Sequence, residues 1–387
     1  MSFDHRTGSI TSTPFDQYGA NVGFTRLTQP LLRDFWIDSQ RHAIQIARLN
    51  RGISDLEFER QVSVVLNNVQ RFYYDLIAAE ENMKSAYSAY GAARQLAEDT
   101  RREVEIGSKA PLADKEAEST AQLRLADYYS AMHRRNTAEN QLKALTGRKF
   151  RDQYDARLVP DEKLFRIERR PVDLQESWKS GLERRPDYRA YFLRTDQERI
   201  NVRFARNQIY PNLDVEGGYS RGGVDTTVTG INQGSLGGAF HDIRRNSQPS
   251  HGYGVTLSTP LTLRRERYAL KRAKSQQEQA LLELESVEQS ILVEIDTTIS
   301  LIRSSNMRIQ ATRAAREAAE QSVDAETKRL ARGVSTPTQV LQLQDRLIRA
   351  QSDEVNALLD YNKALSDLDL QDGSILERNK VQIQPLR

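Results

Sequence analysis

A two-fold internal repeat constrains the fold of this chain more than any other feature of its 387 residues. Residues 107–111 (Gly-Ser-Lys-Ala-Pro) recur 226 positions later as residues 333–337 (Gly-Val-Ser-Thr-Pro). Each copy is followed, 40 positions after its first residue, by another glycine, which is Gly147 in one case and Gly373 in the other. Such a constant offset indicates an internal duplication, in which the chain contains two copies of one structural unit.

Apolar spacing predicts that each copy consists mainly of long helices. Between Phe58 and Ala79, apolar residues lie alternately four and three positions apart, and this average of 3.5 is typical of a coiled-coil seam. The second copy shows a similar spacing between Leu284 and Ile302. At 1.5 Å per residue, the two longest helices would each measure about 105–110 Å. The expected helices are Leu32–Glu105, Leu112–Thr146, Val172–Ile209, Leu263–Arg332 and Thr338–Asp372.

Three short segments are predicted to be β-strands. Apolar and polar side chains alternate in residues 213–220 and 253–259, whereas residues 22–29 alternate poorly. The alternation is typical of a membrane barrel with a wet interior, and a half-buried hairpin of a soluble domain is the alternative. About 30 residues rich in glycine and polar side chains separate the last two strands, which predicts a long exposed loop. A proline lies at each strand–helix junction: Pro30, Pro211 and Pro260.

Composition excludes several classes of chemistry. The chain has no cysteine, which rules out disulfides, thiol nucleophiles and thiolate metal sites. Its 56 basic and 53 acidic residues leave a net charge of +3, too small an excess to indicate nucleic acid. No apolar run reaches the length of about 18 residues that a membrane-spanning helix needs.

The titratable residues suggest no catalytic or metal site. The five histidines lack the spacing of metal ligands. His241 and His251, close to Asp242, offer a weak surface metal site at most, and solvated loop histidines are the favoured interpretation. We therefore predict no enzymatic activity, no metal and no cofactor.

Several motifs carry a family resemblance. Residues 184–187 are Arg-Arg-Pro-Asp, and residues 200–213 begin Ile-Asn-Val-Arg-Phe-Ala-Arg-Asn and end Gln-Ile-Tyr-Pro-Asn-Leu. The strand that ends near Pro260 and the tail over residues 360–373 add to them. From about residue 15 to residue 376, the chain resembles the TolC-like outer membrane efflux protein family. The resemblance implies a mainly α fold with a small β part, in which long antiparallel coiled-coil helices form an α-barrel and a trimer shares the strands of a transmembrane β-barrel.

The resemblance also implies a function, a location and partners. Proteins of this family are passive exit ducts of tripartite efflux pumps or type I secretion systems, and they pass solutes or polypeptides to the exterior. The implied location is the cell outer membrane, with a large periplasmic part. The implied partners are two further copies of the chain, a periplasmic adaptor (membrane fusion) protein, an inner-membrane transporter and outer membrane lipid. A soluble coiled-coil scaffold is the alternative, but it does not explain the alternating strands or the junction prolines.

The repeat predicts four segments along the chain. They are a first repeat over residues 1–147, an equatorial linker over residues 148–171, a second repeat over residues 172–373 and a tail over residues 374–387. Compared with the second repeat, the first lacks about 70 residues, and three strands per chain would give a trimer nine strands, whereas antiparallel closure needs an even number. We therefore expect the first helix, the first strand and a signal peptide to be missing, with a differently closed barrel as the alternative.

The two Gly-x-x-x-Pro turns are the main candidate site. In the family these turns form the periplasmic tips, where the channel closes and the adaptor docks. The same residues also suit a plain helix–turn–helix, because glycine supplies a positive φ and proline begins the next helix. The residues expected to contact the adaptor are Gly107, Ser108, Pro111, Gly333, Val334, Ser335 and Pro337.

The resemblance also places the pore constriction near these tips. Relatives narrow the pore with two aspartates, six and nine residues after the second tip glycine, and those positions here are Gln339 and Gln342. The acidic constriction is therefore not carried over. Asp114, Glu116 and Glu118, after the first tip, are candidates to face the lumen or simply begin a helix favourably. The expected constriction consists of Gln339, Gln342, Asp114 and Lys109.

A latch at the tips is a further hypothesis. Relatives latch shut with a tyrosine and an arginine, and at those positions this chain has Leu330 and Ser335. The expected substitutes are Lys109 paired with Asp114, or Arg329 and Arg332 paired with an acid on a neighbour.

Aromatic and basic residues lie near the expected strand ends. The aromatic residues suit either a membrane-interface belt or packing at a junction, and they are Phe35, Trp36, Tyr210, Tyr219 and Tyr253. The basic residues would lie near phosphate headgroups or simply form a solvated helix face, and they are Arg33, Arg264, Arg265, Arg267, Lys271 and Arg272.

Overall fold

The chain consists of long helices and a small antiparallel sheet, as a computed structural model shows. The structure describes residues 2–10, 13–147, 149–160, 171–228, 235–245, 249–260 and 262–383. The strands are β1 (Ser2–Ile10), β2 (Thr13–Pro30), β3 (Asn212–Val228) and β4 (Pro249–Ser258). The helices are α1 (Ser39–Glu105), α2 (Pro111–Leu145), α3 (Leu174–Arg184), α4 (Pro186–Asn207), α5 (Leu236–Arg245), α6 (Arg264–Ala331), α7 (Pro337–Gln371) and α8 (Ile375–Arg378), with a 3₁₀ turn at Phe150–Asp152.

The chain divides into two compact units. The first, the sheet unit, comprises Met1–Gly52 with Leu193–Leu282, and the second, the helical unit, comprises Ile53–Phe192 with Glu283–Arg387. These units follow contacts in space, so the division of the sequence at residues 147, 171 and 373 stays a prediction. Within the described ranges, no helix is long and apolar enough to span a lipid bilayer.

The sheet has four strands in the order β1-β2-β3-β4, all antiparallel. The expectation of only one strand before the first long helix is therefore wrong, because residues 2–10 pair with β2 over their whole length. Polar residues and a glycine interrupt the side-chain alternation of β1, which hid it in the sequence. Backbone hydrogen bonds to one neighbour hold this edge strand regardless of that pattern. The described part of the chain thus has four strands instead of the three predicted.

Residues 236–245, within the predicted exposed loop between β3 and β4, form a helix. This helix, α5, packs against the sheet with Ala239 fully buried. Gly223 of β3 permits this approach, because a Cβ there would lie only 2.7 Å from the Cγ1 atom of Ile243. The residues on either side of α5, 229–234 and 246–248, lie outside the described part of the chain.

The predicted seam of α6 is confirmed as the centre of the helical unit. Ile291, Ile295 and Ile299 are each at most 2% exposed. They belong to an apolar core that also contains Leu358 and Leu368 of α7. Isoleucines four residues apart share one face of a helix, and this face accounts for the burial.

The seam predicted for the first part of α1 is wrong in detail. Phe58 is half exposed, whereas Ser63 and Asn67 are buried. Both polar atoms of the Asn67 side chain have hydrogen-bond partners on α7. Its Nδ2 donates to Asp367 Oδ1 at 2.9 Å, and its Oδ1 accepts from Ser366 Oγ at 2.6 Å. Apolar spacing cannot find a buried line made of hydrogen-bonded polar residues.

Helix ends were predicted well except at the start of α1 and at Pro186. The observed ends of α2, α6 and α7 lie within one residue of the expected ones. The first long helix begins at Ser39 instead of Leu32, where the Asp38 carboxylate accepts from the Arg41 amide at 2.7 Å and caps the first turn. The expected helix over residues 172–209 is two helices, because Pro186 forces Arg185 into an extended conformation.

Candidate functional site

The two tip turns have the same backbone geometry. Gly107 and Gly333 have φ angles of +77° and +76°. In the first turn the Gly107 amide donates to the Val104 carbonyl at 2.9 Å and the Ser108 amide to the Glu103 carbonyl at 2.8 Å. This pair of bonds is a Schellman motif, and the second turn repeats it. The prediction of a glycine with positive φ at both turns is confirmed.

The helices that leave the two turns begin differently. Proline occupies the first turn of each, at Pro111 of α2 and Pro337 of α7. Thr336 caps α7, since its side chain accepts from the Gln339 amide, whereas Ala110 gives α2 no side-chain cap. The second tip is therefore the more tightly specified turn.

Apolar side chains project at both tips. Ile106 is 79% exposed beside Gly107, and Val334 is 63% exposed beside Gly333. Leu112, on the first turn of α2, is 67% exposed. Large apolar groups that stay exposed on both turns point to a contact surface rather than to a solvated turn.

A groove of about 690 Å³ lies between the tips. Its wall includes Ala113 and Ala117 of α2, Leu341 of α7, and Thr100 of α1. Thr100 is 1% exposed, and its hydroxyl has no hydrogen-bond partner among the described residues. The wall combines small apolar side chains with polar and charged ones, among them Lys109, Lys115 and Glu116.

Within this chain, Lys109 and Asp114 do not pair with each other, and a latch between chains stays a prediction. Lys109 pairs with Glu103 across the first turn, and Asp114 lies 3.5 Å from the Nε atom of Arg101. Both cations belong to the same hairpin as their partners, so these ion pairs stabilise the hairpin itself. They do not connect one hairpin to the other.

The second tip is also stabilised from within. Glu326, which is buried, accepts from the Ser335 hydroxyl and lies 3.3 Å from the Arg329 guanidinium. Arg332 is exposed on the next turn. The expected pairing of Arg329 with a neighbouring chain stays a prediction, because its partner in this chain lies on its own helix.

Besides the α1–α7 hydrogen bonds of Asn67, an ion pair that sequence analysis missed joins the two hairpins. Arg124 of α2 pairs with Asp345 of α7, and its other nitrogen donates to Asp127 at 2.9 Å. The Arg124 side chain is 22% exposed. Because 221 positions separate the two residues, only the repeat and its helix register could have indicated this pair.

The remaining expected site residues lie near the tips and at the strand ends. Gln339 and Gln342 are exposed near the start of α7, and Asp114 is half-buried. Their role as a constriction stays a prediction, as does adaptor contact by the tip residues. The junction prolines adjoin the strands: Pro30 ends β2, Pro211 precedes β3 and Pro260 follows β4.

A second polar site, the strap site, lies at the other end of α2. Residues 153–158, here called the strap, run back along this helix. Lys143 donates to the Tyr154 carbonyl at 3.3 Å, Glu139 accepts from the Leu158 amide at 2.6 Å, and Arg135 donates to the Leu158 carbonyl at 2.8 Å. Both backbone groups of Leu158 are thus held by charged side chains.

The charges of the strap site are buried together. Arg135, Glu139 and Lys143 are each at most 5% exposed, and Glu80 of α1 adds a second carboxylate 2.9 Å from Arg135 Nε. Burial alone would raise the pKa of Glu139, but the Leu158 amide, Lys143 and Arg135 together lower it below its usual value. The i, i+4 spacing of the three α2 residues was visible in the sequence, although it is equally typical of a solvated helix face.

The Arg-Arg-Pro-Asp motif forms a third ion-pair cluster, at the break between α3 and α4. Arg185 donates to Asp187 at 2.7 Å and to Glu294 of α6 at 2.9 Å. Burial raises the pKa of Asp187, but the Arg185 guanidinium and the Tyr188 amide outweigh it and leave that pKa lowered. The motif therefore holds the break between α3 and α4 against α6. Within the described ranges, no group of three or more metal-ligating side chains lies together.

These features define a class of protein: a chain with two long helical hairpins, matching tip turns and a four-stranded sheet. The model of the outer membrane efflux protein family matches residues 179–374, just over half of the chain. The chain therefore belongs to the outer membrane efflux protein family, which confirms the resemblance and the expected mainly α fold with a small β part. Its members are outer membrane channels and not enzymes.

Individual relatives agree with this assignment. Outer membrane protein TolC of Vibrio cholerae is 20% identical over 92% of this chain and 78% of the relative. The structure resembles the outer membrane protein VceC from the same organism, with a TM-score of 0.74 and 17% identity over 96% of this chain and 85% of VceC. The open state of the MtrE outer membrane channel of Neisseria gonorrhoeae gives a TM-score of 0.73 with 20% identity over 99% of this chain and 82% of MtrE.

Proposed function

We propose that three copies of this chain form a continuous passive duct, which serves a tripartite efflux pump or a type I secretion system. In this proposal the sheets of the three copies close a barrel in the outer membrane, and the helical hairpins extend the duct into the periplasm. The tips meet a periplasmic adaptor and an inner-membrane transporter, which supplies the energy. The observation that carries the proposal is the sheet, since its apolar face is exposed and its outer strands each have one neighbour.

The exposed apolar face lies mainly on β4. Tyr253, Val255 and Leu257 alternate along this strand and are 88%, 71% and 65% exposed. Val255 pairs with Val215 of β3, and Leu257 pairs with Leu213, so the face continues onto the next strand. A contiguous apolar face of alternating residues suits contact with lipid.

The strand count supports closure by three copies. Four strands per chain give twelve in a trimer, an even number that antiparallel closure requires. Both β1 and β4 have one neighbour in the sheet, so each exposes a row of backbone hydrogen-bonding groups. Pairing β4 of one copy with β1 of the next would satisfy both edges.

Helix α6 supports contacts between copies in the helical part. Val293, Leu301 and Met307 are 64%, 48% and 64% exposed, although they lie on the same helix as the buried isoleucines. A helix that is apolar on more than one side packs against more than one neighbour. In this proposal the second neighbour is a helix of another copy.

The tips are the proposed adaptor contact and the gate. The exposed Ile106 and Val334, with the groove beside them, offer apolar surface to the adaptor. Opening requires the hairpins to separate, and the Arg124–Asp345 pair must then break. Gln339 and Gln342, together with Asp114 and Lys109, would line the narrowest part, where two amides replace the acidic groups of relatives.

The membrane part of the proposal is tested with a matched pair of strand variants. A charged side chain on the lipid face of a membrane barrel is unfavourable, by up to about 2–4 kcal/mol for Arg or Lys at the bilayer centre and by less for Asp. V255D should therefore prevent recovery of a channel-forming oligomer from the outer membrane fraction. T256D carries the same charge on the neighbouring residue, which faces the opposite side of the sheet, and should leave the oligomer intact. Equal recovery of both variants would contradict the barrel.

The adaptor contact is tested separately. V334E should abolish export in cells without changing the oligomer or its conductance. V159E is the control, because Val159 is 76% exposed on the linker, far from the tip in sequence. Normal export by V334E would exclude this tip as the adaptor contact.

A further inference from the structure

The first three turns of α6 are strongly basic. Between residues 264 and 274 there are six cations and one carboxylate, Glu266, a net charge of +5. All six cations are exposed, and among the described residues none has an ion pair or a side-chain hydrogen bond. These residues, here called the basic collar, are Arg264, Arg265, Arg267, Lys271, Arg272 and Lys274.

The collar occupies one side of the helix. At about 100° per residue, the six cations and Tyr268 fall within roughly half of the circumference. The opposite side carries Ala269, Leu270 and Ala273, of which Ala273 is 7% exposed. The cations thus form one continuous surface instead of being distributed around the helix.

The fold of the chain itself does not explain this charge. Cations at a helix N-terminus are disfavoured, because the helix dipole is positive there. Six like charges within three turns also repel one another. An anionic partner outside the chain would relieve both effects.

The collar adjoins the exposed apolar face of the sheet. β4 ends at Ser258, six residues before Arg264, and Ser258 lies opposite Asn212 at the start of β3. Pro30, at the end of β2, lies opposite Asp214. The chain therefore leaves β2 and β4 at the same end of the sheet. It continues towards Trp36 after β2 and towards the collar after β4.

The exposed side chains change in kind beyond this end of the sheet. Leu257 and Val255, on the sheet, are exposed and apolar, whereas beyond the strand ends Trp36 is 79% exposed and Tyr268, 70% exposed, lies among the cations. In a leaflet of a bilayer, hydrocarbon likewise gives way to an interface that favours aromatic and basic side chains.

We propose that the basic collar binds the anionic headgroups of phospholipids in the leaflet next to the helical part of the duct. This proposal rests on the proposed function, since it requires the sheet to lie in a membrane. Arginine guanidinium groups match the geometry of phosphate oxygens, and four of the six cations are arginines. Each cation near such a surface favours binding by about fivefold.

Brominated lipids, which quench tryptophan, test the proposal with the full chain. The chain has two tryptophans, and W178F leaves Trp36 as the reporter at the edge of the sheet. The protein is reconstituted in nanodiscs of phosphatidylcholine with one quarter phosphatidylglycerol, and either lipid is brominated in turn. The ratio of the two quenching efficiencies gives the local preference for the anionic lipid.

Two matched variants give the readout. R264Q/R265Q/K271Q/R272Q removes four charges from the collar, and K149Q/R151Q/R346Q/R349Q removes four exposed charges from the helical unit. The collar variant should lose the preference for phosphatidylglycerol, about fivefold per cation removed until none remains. The control should keep it. As a second measurement, native mass spectrometry should show fewer retained phosphatidylglycerol molecules on the collar variant alone.

The outcomes separate the two proposals. Equal quenching by both lipids in the parent protein, or an unchanged preference in the collar variant, would overturn lipid binding by the collar. Loss of the preference in inorganic phosphate, at constant ionic strength, would overturn it in favour of a free-phosphate site. Quenching of Trp36 by neither lipid would instead contradict the proposed function.

Discussion

Glu139→Gln tests the strap site directly. The Glu139 carboxylate is the shared partner of two cations that are almost fully buried, Arg135 and Lys143. Glutamine has the same shape and its amide oxygen still accepts from the Leu158 amide, but it carries no charge. The variant therefore leaves two buried cations with one carboxylate fewer to neutralise their charge.

The expected loss of stability is large for one substitution. Removing one partner of a buried ion pair costs about 3–5 kcal/mol. Because the hydrogen bond to Leu158 survives and Arg135 keeps Glu80, we expect a value near the lower limit, about 3 kcal/mol. The control is E98Q, since Glu98 pairs with Arg94 at 3.1 Å on an exposed helix face, where an ion pair contributes little to stability.

The assay is thermal unfolding in detergent, combined with hydrogen exchange of the strap. At roughly 2 °C per kcal/mol for a unit of this size, E139Q should lower the melting temperature by about 6 °C and E98Q by far less. Amides of residues 153–158 should lose protection in E139Q alone. Equal effects of the two variants, or an unchanged strap in E139Q, would refute the reasoning.

The remaining predictions concern pH, backbone and gate. Because the pKa of Glu139 is lowered from about 4.5, its stabilisation is complete above that pH and is lost as the pH falls through the lowered value, so the difference between parent and E139Q should vanish in acid melts. Both Gly333 and Gly91 have open space around an added Cβ, but only Gly333 has a positive φ, so G333A should destabilise by about 1–2 kcal/mol and G91A stabilise by about 0.5–1 kcal/mol in denaturant titrations. D345N should raise single-channel conductance by releasing Arg124, and R124D/D345R should restore the parent value; an unchanged D345N channel would exclude the pair as a gate.

The repeat and its turns could be predicted because they depend on local chemistry. The positive φ of Gly107 and Gly333, and the prolines after them, follow from the cap that each long helix requires. The ends of α2, α6 and α7 followed equally well. The family resemblance then supplied the fold class, which apolar spacing alone left open between a channel and a scaffold.

What could not be predicted depends on contacts distant in the sequence. β1 lacks an apolar pattern and is defined by its pairing with β2. The seam of α1 includes buried Asn67, which requires Ser366 and Asp367 of α7 as partners. Lys109 was expected to pair with Asp114 because the two are close in sequence, but the turn brings Lys109 back to Glu103.

The buried charges of the strap site show the same limit. Arg135 and Glu139 are one helical turn apart, and such a pair normally lies on a solvated face. Only the fold shows that residues 153–158 cover them. Sequence spacing indicates which side chains share a helix face, but not which segment packs onto that face.

The most direct test of the proposed duct is single-channel recording from the purified full chain in planar bilayers, on the fraction whose mass corresponds to three copies. The account predicts discrete, ohmic conductance steps from that fraction. It predicts none from V255D, the variant matched to T256D. A chain that is monomeric in mild detergent and gives no conductance steps would contradict the central claim.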